Sequence, residues 1–158
     1  MVNRKFLFQN FWHLLALGFG SGMFLRAPGT LGTIVAFPLF FSIKSLSPEL
    51  QAVFLITLFF IGLHASNITS RNLKLKDPSC IVIDEIVAML FILIFINHDL
   101  ISFVMAFILF RFFDIKKPFP ISWIDKNIGG GLGIMLDDIV AAIPPIIIVN
   151  IWYLVYAS

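Results

Sequence analysis

The chain has one cysteine, three histidines and only 13% charged residues among its 158 positions. Cys80 alone forms no internal disulfide, so there is no disulfide framework, and cysteine usage says nothing about compartment. The sixth residue after it is Ile86 instead of arginine, which excludes a Cys-x5-Arg thiolate loop. His13, His64 and His98 lie on separate stretches, leaving little basis for a histidine metal cluster or a histidine phosphoenzyme. No Gly-x4-Gly-Lys-Ser/Thr nucleotide loop is present. No basic run is interleaved with aromatics and the formal net charge is only +2, which excludes a nucleic-acid partner. Repeats, low-complexity tracts and long linkers are missing too, so one domain over residues 1–158 is expected. Arg4 and Lys5 precede an apolar stretch, but Gly18-Phe19-Gly20-Ser21-Gly22 runs on to Arg26 without a typical cleavage site. The N-terminus is therefore expected to stay attached.

What the chain does have is apolar surface. Hydrophobic residues make up 59% of it, 19 of them Phe, and the mean hydropathy is +1.00. A water-soluble domain of this size has too little interior to hide so many, so much of this surface is expected to face acyl chains. Apolar stretches over 31–43, 50–63, 86–96, 101–110 and 139–156, with a Gly-broken segment over 11–25 before them, predict an all-α, compact polytopic membrane bundle of about five apolar helices. Several stretches are shorter than the roughly 20 residues that cross ~30 Å of hydrocarbon, so their polar ends must count toward the span. Short apolar runs also suit core helices of a soluble α-domain, but the charges argue against that. If the five stretches cross alternately from an inside N-terminus, 10 of the 11 Lys and Arg residues fall inside, with Lys44 outside, as basic loops retained in the cytoplasm require. Seven of the nine acids share that face; Glu49 and Asp99 do not.

Four polar constellations interrupt the apolar stretches. Asp84-Glu85 stands where the polar stretch 71–79 gives way to the helix starting at Ile86. Neighbouring carboxylates at a membrane boundary repel and are poorly solvated, so a cation or base holding them ionised is expected; the plainer role is acids favouring a helix dipole. Asp137-Asp138 repeats the arrangement after Gly129-Gly130-Gly131 and Gly133. Two such pairs supply oxygen ligands for Mg²⁺, which takes a few carboxylates and fills its shell with waters and substrate phosphate. The third, Arg111-Phe112-Phe113-Asp114-Ile115-Lys116-Lys117-Pro118-Phe119-Pro120, joins an acid to bases where prolines stop a helix. Cations there suit a phosphate monoester and Asp114 can add to a metal site, while snorkelling explains the bases alone. The fourth is Arg26-Ala27-Pro28-Gly29-Thr30-Leu31-Gly32-Thr33. Thr30 is expected to cap a helix, free N–H groups near Gly29 and Gly32 to receive a phosphate oxygen, and Arg26 to add charge.

Together these blocks resemble the phosphatidylglycerophosphatase A family, in motif and in order: Gly20-Ser21-Gly22, Pro28-Gly29-Thr30-Leu31-Gly32-Thr33, Ile81-Val82-Ile83-Asp84-Glu85, Arg111-Phe112-Phe113-Asp114, Lys117-Pro118-Phe119-Pro120-Ile121 and Gly130-Gly131-Leu132-Gly133-Ile134-Met135-Leu136-Asp137-Asp138. The likeness spans about residues 11–142. Departures are Phe119 where Trp is expected between the prolines, and Lys116 beside the expected Lys117; neither removes a charge. The resemblance implies Mg²⁺-dependent hydrolysis of phosphatidylglycerophosphate to phosphatidylglycerol at the cytoplasmic side of a bacterial inner membrane. Carried over, it gives Asp84, Glu85, Asp114, Asp137 and Asp138 as catalytic, with Asp84, Glu85, Asp114 and Asp138 on the metal. Thr30, Arg111 and Lys117 would bind phosphate, and Arg26, Asp77 and Asp125 would support them.

Two other classes compete. A small membrane transporter or ion-coupled carrier also uses intramembrane acids and Gly-broken helices, but predicts charge near the bilayer middle. A phosphatidyltransferase acting on a CDP-activated lipid also uses aspartates and Mg²⁺, but its Asp-Gly-x2-Ala-Arg signature is missing; Asp138-Ile139-Val140-Ala141 is too short a match.

Overall fold

The structure is a computed structural model that describes residues 2–24 and 26–156. Among these residues the fold is helical throughout, without a strand. Two short helices, α1 (Arg4–Gln9) and α2 (Phe11–Ala16), and a 3-10 segment (Gly18–Met23) precede α3 (Pro28–Ile43), α4 (Pro48–Leu73), α5 (Ile83–Phe95), α6 (Leu100–Lys116), α7 (Ile121–Asn127) and α8 (Gly130–Tyr156). The Gly-broken segment expected over 11–25 is α2 plus the 3-10 segment, with Leu25 outside the described residues.

Among the described residues two helices are long and apolar enough to cross a membrane: α4 with 26 residues and α8 with 27. Both run well past the apolar stretches expected at 50–63 and 139–156, because their polar ends, 64–73 and 130–138, continue the helix. α3 is a shorter apolar helix, and α5 and α6 have 13 and 17 residues. α5 is the centre of the bundle, packed by α3, α4, α6 and α8. Val87, Ala88, Met89, Leu90, Ile92 and Leu93 are all fully buried there, as expected of a helix apolar on every side.

The outer helices are apolar outside and small or polar inside. α4 buries Gly62, Ala65, Ser66, Thr69 and Ser70 and exposes Leu50, Val53, Ile56 and Phe60. α8 likewise exposes Ile147, Ile151, Leu154 and Val155. A continuous apolar exterior over small-residue interfaces suits lipid on the outside and close helix contact on the inside. The α4–α8 contact shows why the glycines matter: a Cβ on Gly131 would strike the Leu63 carbonyl oxygen, and the Gly131 N–H instead donates to Asn67 Oδ1 at 2.8 Å. At the opposite end, Asn150 Nδ2 donates to the Phe95 carbonyl at 2.9 Å, satisfying an acceptor at the α5 terminus that apolar surroundings would leave unpaired.

Candidate active site

The polar constellations line one end of the bundle. The loop 74–82 carries the chain into α5, whose first turn holds Asp84 and Glu85. It is held from two sides: Val82 N–H donates to the Ala16 carbonyl at 2.9 Å, and Gly22 passes so close that a Cβ would meet the Cys80 carbonyl oxygen. Arg111 and Asp114 occupy the last turns of α6, and Lys117 follows in left-handed conformation. α7 and the loop after it turn the chain back, so that Asp137 and Asp138 descend on α8 beside α5.

A cavity of about 440 Å³ lies between these elements. Arg26, Thr30, Asp77, Asp84, Glu85, Arg111, Asp114, Lys117, Asp137 and Asp138 all line it, drawn from five parts of the chain. Of the side chains given a catalytic, metal, phosphate or supporting role, Asp125 stands outside, and it reaches the cavity through Lys117. Ser79, Ile81, Ile115 and Ile134 also line it; the three isoleucines stand inside the quoted blocks without a role of their own, and Ser79 lies outside every block. Ser79 ends the polar stretch before Asp84, the only signal that was available.

The carboxylates divide into two kinds. Asp114 and Asp137 are each held by a cation: Arg111 Nη1 donates to Asp114 Oδ2 at 2.6 Å, and Lys117 Nζ to Asp137 Oδ2 at 2.5 Å. Asp84, Glu85 and Asp138 form the other kind. One ligand atom from each lies within 4.8 Å of the others. Asp84 and Asp138 are only 8% and 3% exposed. Asp84 Oδ1, Glu85 Oε2 and Asp138 Oδ2 are buried with no hydrogen-bond partner among the described residues. Orphaned buried carboxylate oxygens at this spacing are costly unless positive charge sits between them. The nearest cation, Arg111 Nη1, lies 3.6 Å from the other Glu85 oxygen, Oε1. Oxygen donors from three carboxylates within 4.8 Å of one another fit a hard divalent cation such as Mg²⁺, which takes a few carboxylates and completes its shell with water and substrate phosphate.

The cations have fixed positions. Lys117 Nζ also donates to Asp125 Oδ1 at 2.8 Å. Burial opposes its charge, but the hydrogen bonds and charges of Asp125 and Asp137 outweigh that and raise its pKa above the ordinary lysine value. Lys76 Nζ donates to the Asp125 and Lys126 carbonyls at 3.0 and 3.2 Å, bracing the end of α7 that carries Asp125. Arg111 Nε is a buried donor without a partner among the described residues. Asp77 keeps solvent exposure at the mouth. Partial burial of its carboxyl raises its pKa, with Asp125 and Asp114 adding to the rise against the pull of Lys117.

The α3 terminus differs from expectation. Its N-cap is Ala27, with no side-chain cap, and Pro28 occupies the first position, so Thr30 lies inside the first turn and does not cap it. Proline sets the start, because its φ suits the first helical residue and its missing N–H costs nothing there. The Gly29 and Thr30 N–H groups are among those that the turn leaves without an i−4 carbonyl. Gly32 is past that turn and serves packing instead: a Cβ there would stand 2.8 Å from Val82 Cβ and 3.0 Å from its carbonyl oxygen. Gly29 has a similar use beside the acids, since a Cβ there would meet Glu85 Oε1 and lie 3.0 Å from Arg111 Nη1.

Residues 14–153 match the model of a family described as phosphatidylglycerophosphatase A. Two bacterial relatives carry that same name. The one from Escherichia coli (strain K12) is 38% identical over 136 residues, 85% of this chain and 79% of that protein. The one from Haemophilus influenzae is 38% identical over 148 residues, 92% of this chain and 91% of that protein. No solved structure matches the chain at a significant level.

Proposed function

The chain belongs to the phosphatidylglycerophosphatase A family, and from that premise we propose that the cavity hydrolyses phosphatidylglycerophosphate to phosphatidylglycerol and phosphate. The observation that carries the assignment of the site is the trio Asp84, Glu85 and Asp138, with three orphaned oxygens in a cavity that also holds Arg111 and Lys117. In this reading the three carboxylates hold Mg²⁺. A bound Mg²⁺ supplies positive charge to the phosphoryl oxygens and a water of lowered pKa.

The other residues have distinct work. Arg111, steadied by Asp114, and Lys117, steadied by Asp125 and Asp137, neutralise the phosphate monoester. The Gly29 and Thr30 N–H groups, at the positive end of α3, receive one of its oxygens, and Arg26 and Asp77 flank the mouth. Water adds to phosphorus as the bond to the glycerol oxygen breaks; a cavity carboxylate takes the water proton and passes it to the departing glycerol oxygen, which leaves as a hydroxyl.

The bilayer sets the rest. α3, α4, α5, α6 and α8 cross alternately in this reading, which places 10 of 11 basic residues and the cavity on the cytoplasmic face of a bacterial inner membrane. The head group rises into the cavity while both acyl chains stay in lipid. The transporter alternative loses ground because the acids sit toward helix ends, Asp84 and Glu85 in the first turn of α5 and Asp114 in the last of α6. Phosphate release by purified protein from a panel of lipid phosphates, with Mg²⁺ present or chelated, tests the proposal. Release only from phosphatidylglycerophosphate and only with Mg²⁺ supports it; no release from any lipid, with ion flux into proteoliposomes, overturns it.

A further inference from the structure

Residues 2–24 carry a surface that the catalytic cavity does not use. No acid occurs before Glu49, whereas Arg4 and Lys5 lie together near the start. Both are exposed, and neither has an ion-pair partner among the described residues. Four phenylalanines of the same segment, Phe8, Phe11, Phe19 and Phe24, are between 64% and 73% exposed. A recess of about 760 Å³ opens among Arg4, Phe8, Phe19, Ser21, Met23 and Phe24. Lys5 lines a second recess on the other side of Arg4 and Phe8.

This segment is fastened in place. Asn3 and Asn10 cap its two helices, accepting from Phe6 N–H at 2.9 Å and Trp12 N–H at 3.0 Å. His13 is buried, 3.0 Å from Thr69 Oγ1 and 3.1 Å from Asn72 Nδ2 on α4, under a stacked Phe6 ring. Leu7, Ala16 and Leu17 enter the core. Phe19 holds φ +57°, the left-handed region that aromatic residues avoid, and still projects outward. The backbone accepts strain there to keep an aromatic ring at the surface.

We infer that this platform binds an anionic phospholipid: Arg4 and Lys5 take the phosphate of its head group, and Phe8, Phe19, Met23 and Phe24 take the upper acyl chain. The charge is complementary, since two free cations on an acid-free segment meet one phosphodiester. Phenylalanines beside basic residues suit a lipid interface, and α2 of this segment packs on α4, whose outer flank is apolar. The platform also adjoins the cavity: a third recess shares Met23 and Phe24 with the first and Pro28 and Ser79 with the catalytic cavity. Lipid held here stands one recess away from the phosphoryl site, and its binding does not depend on catalysis.

Native mass spectrometry tests this on the full chain in detergent, titrated with dioleoyl phosphatidylglycerol or dioleoyl phosphatidylcholine. The wild type is expected to retain phosphatidylglycerol in preference to phosphatidylcholine. Arg4→Ala with Lys5→Ala lowers that preference about tenfold, whereas Arg4→Lys keeps it, and all three melt alike because both side chains are exposed. Unchanged preference in the double variant overturns the inference, as does equal retention of both lipids by the wild type or displacement by inorganic phosphate alone. A protein that releases no phosphate yet keeps the Arg4-dependent lipid supports this inference while refuting the catalytic proposal.

Discussion

Gly29→Ala separates the chemistry from the fold. The new methyl group meets Glu85 Oε1 and lies 3.0 Å from Arg111 Nη1. Both obstacles are ends of side chains, so α3 need not move, but a carboxylate and the guanidinium facing it must part. Stability is affected by two opposed terms: alanine in a helix is favoured over glycine by about 1 kcal/mol, and crowding costs about 1–3 kcal/mol. The net is about 2 kcal/mol at most, a shift of a few degrees in melting temperature. Activity falls further, because a reacting group displaced by about 1 Å can lose about 100-fold in rate, or about 2.7 kcal/mol of barrier. The assay is kcat/KM for phosphate release from phosphatidylglycerophosphate, beside the melting temperature of the same preparations. Two glycine controls bracket the result. Gly129 has nothing within 4 Å of its Cβ position, so Gly129→Ala changes neither quantity. Gly32→Ala presses on the Val82 backbone and lowers stability first. Wild-type kcat/KM in Gly29→Ala refutes the reasoning, because the Glu85–Arg111 geometry would then not matter to turnover.

Further outcomes follow from the same geometry. Asp84→Asn or Asp138→Asn should cut phosphate release by more than about 100-fold and abolish the melting shift from added Mg²⁺, which for the wild type is about 2.7 kcal/mol of stability at 100 times Kd. Persistence of that shift in both variants would remove these residues from the metal site. Lys117→Met should cost about 2 kcal/mol by leaving Asp137 and Asp125 without their donor. The folded Lys117 pKa is raised, so its contribution is complete below the unfolded value of about 10.4 and is lost only as pH rises through the folded one. The loss in melting temperature should therefore be equal at pH 8 and pH 9, where both partners are charged, and a loss confined to one of them contradicts the pairing. His13 has the opposite sign. Burial lowers its pKa, so its contribution is complete above the unfolded value of about 6.5 and is lost as pH falls through that value toward the folded one. The protection of α1 and α2 amides against hydrogen exchange, relative to the intrinsic rate at each pH, should therefore fall below that pH in the wild type and lose this dependence in His13→Gln.

The sequence by itself determined what is local. Apolar stretches set which segments are helices, and acids at their polar ends set which end of the bundle carries charge, because periodicity and helix boundaries depend on near neighbours. The order of the blocks, from Pro28-Gly29-Thr30 to Asp137-Asp138, was enough to identify the family. Tertiary structure decided what is shared between distant segments. Asp114 and Asp137 read like the other acids, yet Arg111 and Lys117 occupy them, while Asp84, Glu85 and Asp138 converge with unpaired oxygens. No spacing rule distinguishes the two sets, because the distinction depends on which faces of α5, α6 and α8 meet. Likewise Gly32 looks like a phosphate-loop glycine until Val82 is brought against it. His13 stands alone in its stretch of the sequence until Thr69 and Asn72, more than 50 positions later, close on its two ring nitrogens. Helix propensity is a property of the segment; the partner of a buried charge is a property of the packing.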